Sequence, residues 1–563
     1  MLQRLAVVPA PSPSSSSTPL PTTPHPAIHA LFETLQNSDT KALPSNIEHA
    51  IHTFIIEFEQ IETVTTTTNS LVDCVCAFGR FLRSTLIKAN VGVAEQSLIG
   101  MLHVITDLAR DAEFEAIFCK VGVLDDFVRA LPLVASQTME PATPGARSSA
   151  YTAALLTAFL DTLSNLTTST DHAARALRSD VLIHACNILE QYRVPKVAWE
   201  EAAGNGGSGS NDDDDDDDEN SDAAEDTDVT TAVVSLLRNL SAGPHTMRPL
   251  VAASGVIAPL VALIGEVRYD APITSDVLAT LLNVSCHDAS DGVLTANFTM
   301  NSLIDCIDNS NSALKMIQDV DVDINFDVDA NTNANSNVND EEDEQTITIH
   351  AAMTSIELAL RTVRNMCSNE HNAVEICRQP TLRVILDAMA SSKMSKGRRI
   401  IQTLHANVTQ SASMVLENVS KFADEERCSV LVQTGVVENL VRVLGGSEMT
   451  PEAKAAAADG LVSMMLVDAK NGVVKGIIGR GVGGSMLVSM LELRMAERQA
   501  AEDDEESDEE SEEDSEVEDS EVEDSEVGDE EEEVENEDDD GEMKMDGDIS
   551  STIAFGSSMN VKR

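Results

Sequence analysis

Along residues 95–493 apolar side chains recur at i, i+3, i+4 and i+7, the pattern of helices buried along one stripe. One phrase, L-x-N-L/V/M-S, closes such a helix again and again: LSNLT (163–167), LRNLS (237–241), LLNVS (281–285), VRNMC (363–367) and LENVS (416–420). Degenerate versions stand at ITDLA (105–109) and VSMML (462–466). A second apolar phrase follows: KVGVLDDFVRAL (120–131), ASGVIAPLVALIG (253–265), QTGVVENLVRVLGG (433–446) and GRGVGGSMLVSML (479–491). Poorer copies read SDVLIHACNIL (179–189) and QPTLRVILDAM (379–389). Each phrase predicts one helix, and Gly255 and Gly435 mark helix junctions where positive φ costs little.

The phrase centres Asp107, Asn165, Asn239, Asn283, Asn365, Asn418 and Met464 lie 58, 74, 44, 82, 53 and 46 residues apart. The longer gaps hold polar, Pro-rich or acidic segments, and without them the period settles at about 45 residues, within the range of armadillo and HEAT units. A unit of this size cannot bury its apolar face alone, so stacking supplies the core. The insertions (136–148, 199–228, 309–345 and 390–398) all fall between a second-phrase helix and the next first-phrase helix, along one edge of a stack.

SLLRNLSAGPHTMRPLVAASGVIAPLVALIG (235–265) resembles an armadillo repeat: a long third helix ending in A-L-x-N-L-S, a short first helix, then G-x-I-x-x-L-V-x-L-L. LENVSKFADEERCSVLVQTGVVENLVRVLGG (416–446) is similar. The resemblance covers about residues 95–493 and implies an all-α fold, a right-handed armadillo-type α-solenoid with disordered acidic insertions and tail. The chain then divides into a Pro/Ser/Thr-rich disordered tail (1–26), a helical cap (27–94), the repeat domain (95–493, with insertions 136–148, 199–228 and 309–345) and an acidic disordered tail (494–563).

In armadillo proteins the Asn of the third helix lines a concave groove and bonds the backbone of an extended peptide. The resemblance thus implies peptide-groove roles for Asn165, Asn239, Asn283, Asn365 and Asn418. An amide carries both donor and acceptor for such a task; the same amide is equally suited to capping a helix end or bonding a neighbouring turn. Nuclear-import carriers of this type place Trp four residues before each Asn. Here those positions hold Asp161, Ser235, Ala279, Arg361 and Met414, and the single Trp is Trp199. A receptor for classical nuclear-localisation signals is therefore not expected.

The net charge of −59 is concentrated: residues 502–540, 212–228 and 319–344 hold 50 of the 96 acidic side chains and no Lys or Arg. The remainder is only mildly acidic. Such blocks repel themselves and bury little, so they are expected to be disordered. Their sign disfavours direct nucleic-acid or anionic-membrane binding and favours basic partners. No apolar run approaches the ~18 residues of a transmembrane helix.

Ser507, Ser511, Ser515 and Ser520 each have an acidic residue three positions on, the pattern acidophilic kinases prefer; each phosphate adds about −1.5 to −2 charges. DVDVDINFDVD (319–329) fails as a calcium loop, with Ile324 at position six and Ala330 at position twelve, counted from Asp319. GIIGRGVGG (476–484) has no preceding strand and no Lys-Ser/Thr, so it reads as a helix joint. Nine scattered Cys without a framework read as free thiols in a reducing compartment.

No catalytic constellation, cofactor motif or metal-ligand set is present, and no enzyme activity is expected. The expectation is a non-catalytic protein-interaction scaffold in the cytoplasm, the nucleus or both. The alternative is an acidic chaperone or transport-like carrier for basic nuclear proteins such as histones or ribosomal proteins. Oligomeric state is left open by the sequence.

Overall fold

A computed structural model describes residues 30–34, 46, 49–54, 75–80, 95–138, 153–192, 218–266, 272–324, 338–391, 399–480, 484–496 and 498. Among the described residues there is no β-strand.

Among the described residues, six complete three-helix units follow helix α1 (Glu95–Ala109). The first three are α2 (Ala112–Val121), α3 (Val123–Thr138) and α4 (Ala153–Asn165); α5 (Thr170–Leu177), α6 (Val181–Gln191) and α7 (Asp218–Ser241); and α8 (Arg248–Ala253), α9 (Ile257–Glu266) and α10 (Pro272–Ser285). Then come α11 (Asp291–Ala296), α12 (Thr299–Ile324) and α13 (Val338–Met366); α14 (Glu370–Ile376), α15 (Gln379–Ser391) and α16 (Arg399–Lys421); and α17 (Glu425–Thr434), α18 (Val436–Gly445) and α19 (Pro451–Val467). Helix α20 (Val473–Gly479) and a helix over 484–496 finish the stack.

The third helices α1, α4, α7, α10, α13, α16 and α19 form one row, each packed on the next. The second helices α3, α6, α9, α12, α15 and α18 form another. This is the α-solenoid that the recurring phrases predict.

Local chemistry explains the punctuation. Short first helices open on side-chain caps: Asn369 accepts from the His371 N–H at 2.9 Å and Asp424 from the Arg427 N–H at 2.8 Å. At α19, Thr450 caps the Ala453 N–H and Pro451 occupies the first turn, where its missing N–H costs nothing. The turn from first to second helix runs through left-handed backbone at Gly122, Gly255 and Gly435 (φ +90, +92 and +88). There the chain bends by 76° between His245–Ala253 and α9, and by 65° between α17 and α18. In the fourth unit Phe298 takes that place at φ 55, the one non-glycine with positive φ among the described residues.

The core runs continuously through the stack. Each Leu, Val or Ile removed from water contributes about 1.5–3 kcal/mol against chain entropy. Its largest fully buried rings (Phe54, Phe78, Phe118, Phe127 and Phe159) lie toward the amino-terminal end, and Phe127 stacks on Phe159 at 5.2 Å. Leu31, Ile51 and Val75 of the 27–94 segment join the same core. At Gly460 α19 closes on α16: an added Cβ would meet the Glu417 Cα at 3.4 Å and the Leu440 side chain at 3.3 Å.

Several sequence boundaries move: α3 runs to Thr138 inside 136–148, α7 begins at Asp218 inside 199–228 and α13 at Val338 inside 309–345. Helix α12 runs on past residue 309, and Ser310, Asn311 and Leu314 are buried, so the opening of the 309–345 segment is packed helix. Its apolar spacing is diluted by Asn and Asp, which hides it from a periodicity reading. Likewise the carboxy-terminal helix passes Leu493: Arg494 forks onto Asp459 of α19 at 2.7 and 2.9 Å, and Arg498 donates to the Ser463 hydroxyl at 3.0 Å. Residues 494–496 and 498 therefore belong to the cap of the stack.

Candidate functional site

The Asn residues of the repeated phrase stand near the carboxyl end of successive third helices, and all five are half-buried. Four of them reach back one unit. Asn239 donates to the Ser164 carbonyl at 2.8 Å and its hydroxyl at 3.0 Å. Asn283 donates to the Ser241 hydroxyl at 3.1 Å, and Asn365 to the Ser285 hydroxyl at 3.0 Å. Asn418 donates to the Arg364 carbonyl at 3.1 Å. Asn165 differs: its amide bonds the Asp161 carbonyl of its own helix at 2.9 Å. Between α1 and α4 a Thr106–Thr162 hydroxyl pair at 2.8 Å serves instead.

At two of these joints the serine two places after the preceding Asn completes the device. Ser241 donates its hydroxyl hydrogen to the Arg238 carbonyl, and Ser285 to that of Leu282, both at 2.8 Å. Each satisfies a helix-end carbonyl while its oxygen accepts the next unit's amide. At Ser241 and Ser285 the N-x-S spacing is thus a stitch between units, whereas Asn239 and Asn418 reach Ser164 and the Arg364 carbonyl. The sequence lists its parts, but spacing alone does not say which neighbouring helix the amide reaches.

Using the amide nitrogen leaves the carbonyl. Among the described residues no donor reaches the Oδ1 of Asn239, Asn283, Asn365 or Asn418. One turn earlier on the same helices, Asp161, Ser235, Ala279 and Met414 are half-buried and Arg361 is exposed. Since i and i+4 share a helix face, these side chains flank the Asn row. Neighbouring helices sit about 8–10 Å apart, so the row offers one acceptor for roughly every two or three residues of an extended chain.

Charges beside this row are mostly paired. Arg238 bonds Asp276 of the next unit at 2.7 Å, Glu357 receives Arg361 and Asn407, and Lys421 meets Glu417 at 2.7 Å. Burial pushes the Asp161 carboxyl above its ordinary range, against the opposing pull of His103 and Arg110.

The thiols are packed. Burial raises Cys119 and Cys306 to about 12 and Cys377 and Cys428 to about 11, and raises Cys367 further. Cys286 alone is exposed among the described cysteines. Among the described residues no group of three His, Cys, Asp or Glu could hold a metal ion. No single described helix is long and apolar enough to cross a membrane. Ser507, Ser511, Ser515, Ser520 and Trp199 lie outside the described residues. Of DVDVDINFDVD, residues 319–324 end α12, and the glycine-rich GIIGRGVGG begins within α20.

No protein-family model matches the chain, and no curated protein matches it. Solved structures do. An engineered protein is 13% identical, with TM-score 0.41, covering 84% of this chain and 98% of its own. A designed armadillo repeat protein in complex with the peptide (KR)4 is 12% identical, with TM-score 0.35, covering 59% and 99%. A computationally designed armadillo repeat protein for modular peptide recognition is 13% identical, with TM-score 0.35, covering 59% and 99%. At these values the likeness carries nothing about binding. The fold itself is an armadillo-type α-solenoid, as its three-helix units and two helix rows define it.

Proposed function

We propose that this protein is a non-catalytic scaffold that holds an extended partner segment along its third-helix row. The observation that carries this reading is the set of Asn carbonyls left open beside a surface of small and mixed side chains. Backbone N–H groups of an extended chain satisfy such acceptors without reading its sequence, and Ser235 and Ala279 leave room for close approach. Replacing Asn239, Asn283 and Asn365 together by Ala is expected to abolish recovery of partners by affinity purification. Unchanged recovery would remove the mechanism. The proposed place of action is the cytoplasm, the nucleus or both.

A second reading rests on the 28 carboxylates of residues 502–540, which carry no Lys or Arg among them. They favour a carrier or chaperone for strongly basic proteins, held by Coulomb attraction that salt weakens. Deleting residues 502–548 is expected to lose basic clients at low salt under this reading, and to leave partner binding intact under the first.

A further inference from the structure

The fourth unit departs from the others in a way neither reading uses. Its second helix, α12, forms one wall of a groove of about 450 Å³ whose other wall is α14 and α15. The apolar part of the lining comes from Met300, Ile304 and Val384, and the acidic part from Asp305, Asp308 and Glu375. The single guanidinium there, Arg378, is already spent on Glu375 at 2.6 Å, so Asp305 and Asp308 are left as exposed carboxylates. The walls are fixed to each other by the Asn311 amide on the Val384 carbonyl at 3.2 Å and by the Lys315–Asp387 pair at 2.9 Å. The groove is therefore preformed.

Two exposed apolar side chains bracket it along α12. Phe298, 72% exposed, stands where the corresponding joints of three other units use glycine. Met316, 70% exposed, lies farther along the helix. Asn301, Asp305, Asp308, Ser312 and Met316 share one helix face by their spacing, and all five are exposed. From Phe298 to Met316 the strip is about 27 Å long. An aromatic face also attracts cations.

We propose that this strip on the second-helix row is a docking site for a cationic amphipathic helix from a partner protein, about 18 residues long. Its Lys or Arg side chains pair with Asp305 and Asp308, and its apolar side chains enter over Met300, Ile304 and Val384. The occupant is cationic because Asp305 and Asp308 on the rim carry no ion-pair partner among the described residues, and amphipathic because the lining is half apolar. The site lies on the row opposite the Asn residues, so it stands whether or not the third-helix row binds a peptide.

The test uses the full-length protein and two fluorescein-labelled peptides of equal charge, at about 0.15 M salt. One is a Lys/Leu amphipathic helix; the other has every Leu replaced by Ser. Anisotropy is expected to show the amphipathic peptide binding about tenfold more tightly. Asp305→Asn/Asp308→Asn, both exposed and remote from the core, is expected to weaken that peptide about fivefold. Deleting residues 502–548 is expected to weaken both peptides alike and to preserve the preference. Equal binding of the two peptides, or wild-type affinity in the double variant, overturns the proposal.

Discussion

Asn283 donates an amide hydrogen to the hydroxyl of Ser241, 42 residues earlier, at 3.1 Å, and that hydroxyl donates onward to the Arg238 carbonyl. One relay ties a helix end to the following unit. Asn283→Ala is expected to destabilise the protein by about 1 kcal/mol, and a double-mutant cycle with Ser241→Ala to show coupling of about 0.5–1 kcal/mol. Asn165→Ala, which loses only a bond within its own helix, is expected to show no coupling to α1. Urea denaturation of the Asn283/Ser241 cycle, and of a second cycle pairing Asn165→Ala with Thr106→Ala, measures both.

Phe298 and Gly435 make opposite predictions at equivalent joints. Gly435→Ala forces a Cβ onto φ +88 and is expected to cost about 1–2 kcal/mol. Phe298→Asn suits φ 55 better and gives up a ring that is 72% exposed, so it is expected to stabilise by about 0.5–1 kcal/mol. Thermal melts compare them directly. A melting point lowered by Phe298→Asn would show that the ring packs on something in the folded chain.

The repeat architecture was legible because its signals are chemical as well as periodic. LRNLS, LLNVS and LENVS mark third-helix ends by their Asn and Ser, and Gly255 and Gly435 mark the bends by a conformation other residues resist. The direction of the Asn amide was not legible. Asn239 and Asn165 have the same phrase around them, yet one reaches Ser164 of the previous helix and the other Asp161 of its own. That choice is made by the neighbour's packing. The α12–α15 groove was hidden for a related reason: Asp305 and Asp308 become a rim only when Met300, Ile304 and Val384, the last some eighty residues on, are brought beneath them.

Buried thiols predict an alkaline limit. Cys119, Cys306 and Cys367 keep their protons in the folded chain well above the ordinary value of 9.0, because burial disfavours the thiolate. Unfolding above pH 9 therefore releases protons, and stability present below that value is lost as pH rises toward the folded values. The slope is up to about 1.4 kcal/mol per pH unit for each thiol. Denaturant midpoints from pH 8 to about 11 are expected to fall, and Cys367→Ala to flatten the fall. In the native protein at pH 8, maleimide is expected to label Cys286 while Cys306 and Cys367 stay protected.

The Arg494 fork on Asp459 closes the last third helix before the acidic tail begins. Both side chains are partly exposed, so Arg494→Ala is expected to cost only about 0.5–1 kcal/mol. Hydrogen exchange is expected to quicken in α19 and leave α7 and α10 unchanged, since each unit contacts only its neighbours.

The most direct test of the third-helix row separates binding from stitching. Ala279→Arg places bulk one turn before Asn283 without touching its bond to Ser241, whereas Asn239→Ala/Asn283→Ala/Asn365→Ala breaks the amide bonds themselves. Affinity purification with both variants, alongside their melting temperatures, is the deciding measurement. The account predicts that partners recovered by the wild-type chain are lost from both, with the melting temperature lowered only in the Asn variant. Full recovery of those partners by Ala279→Arg would contradict it.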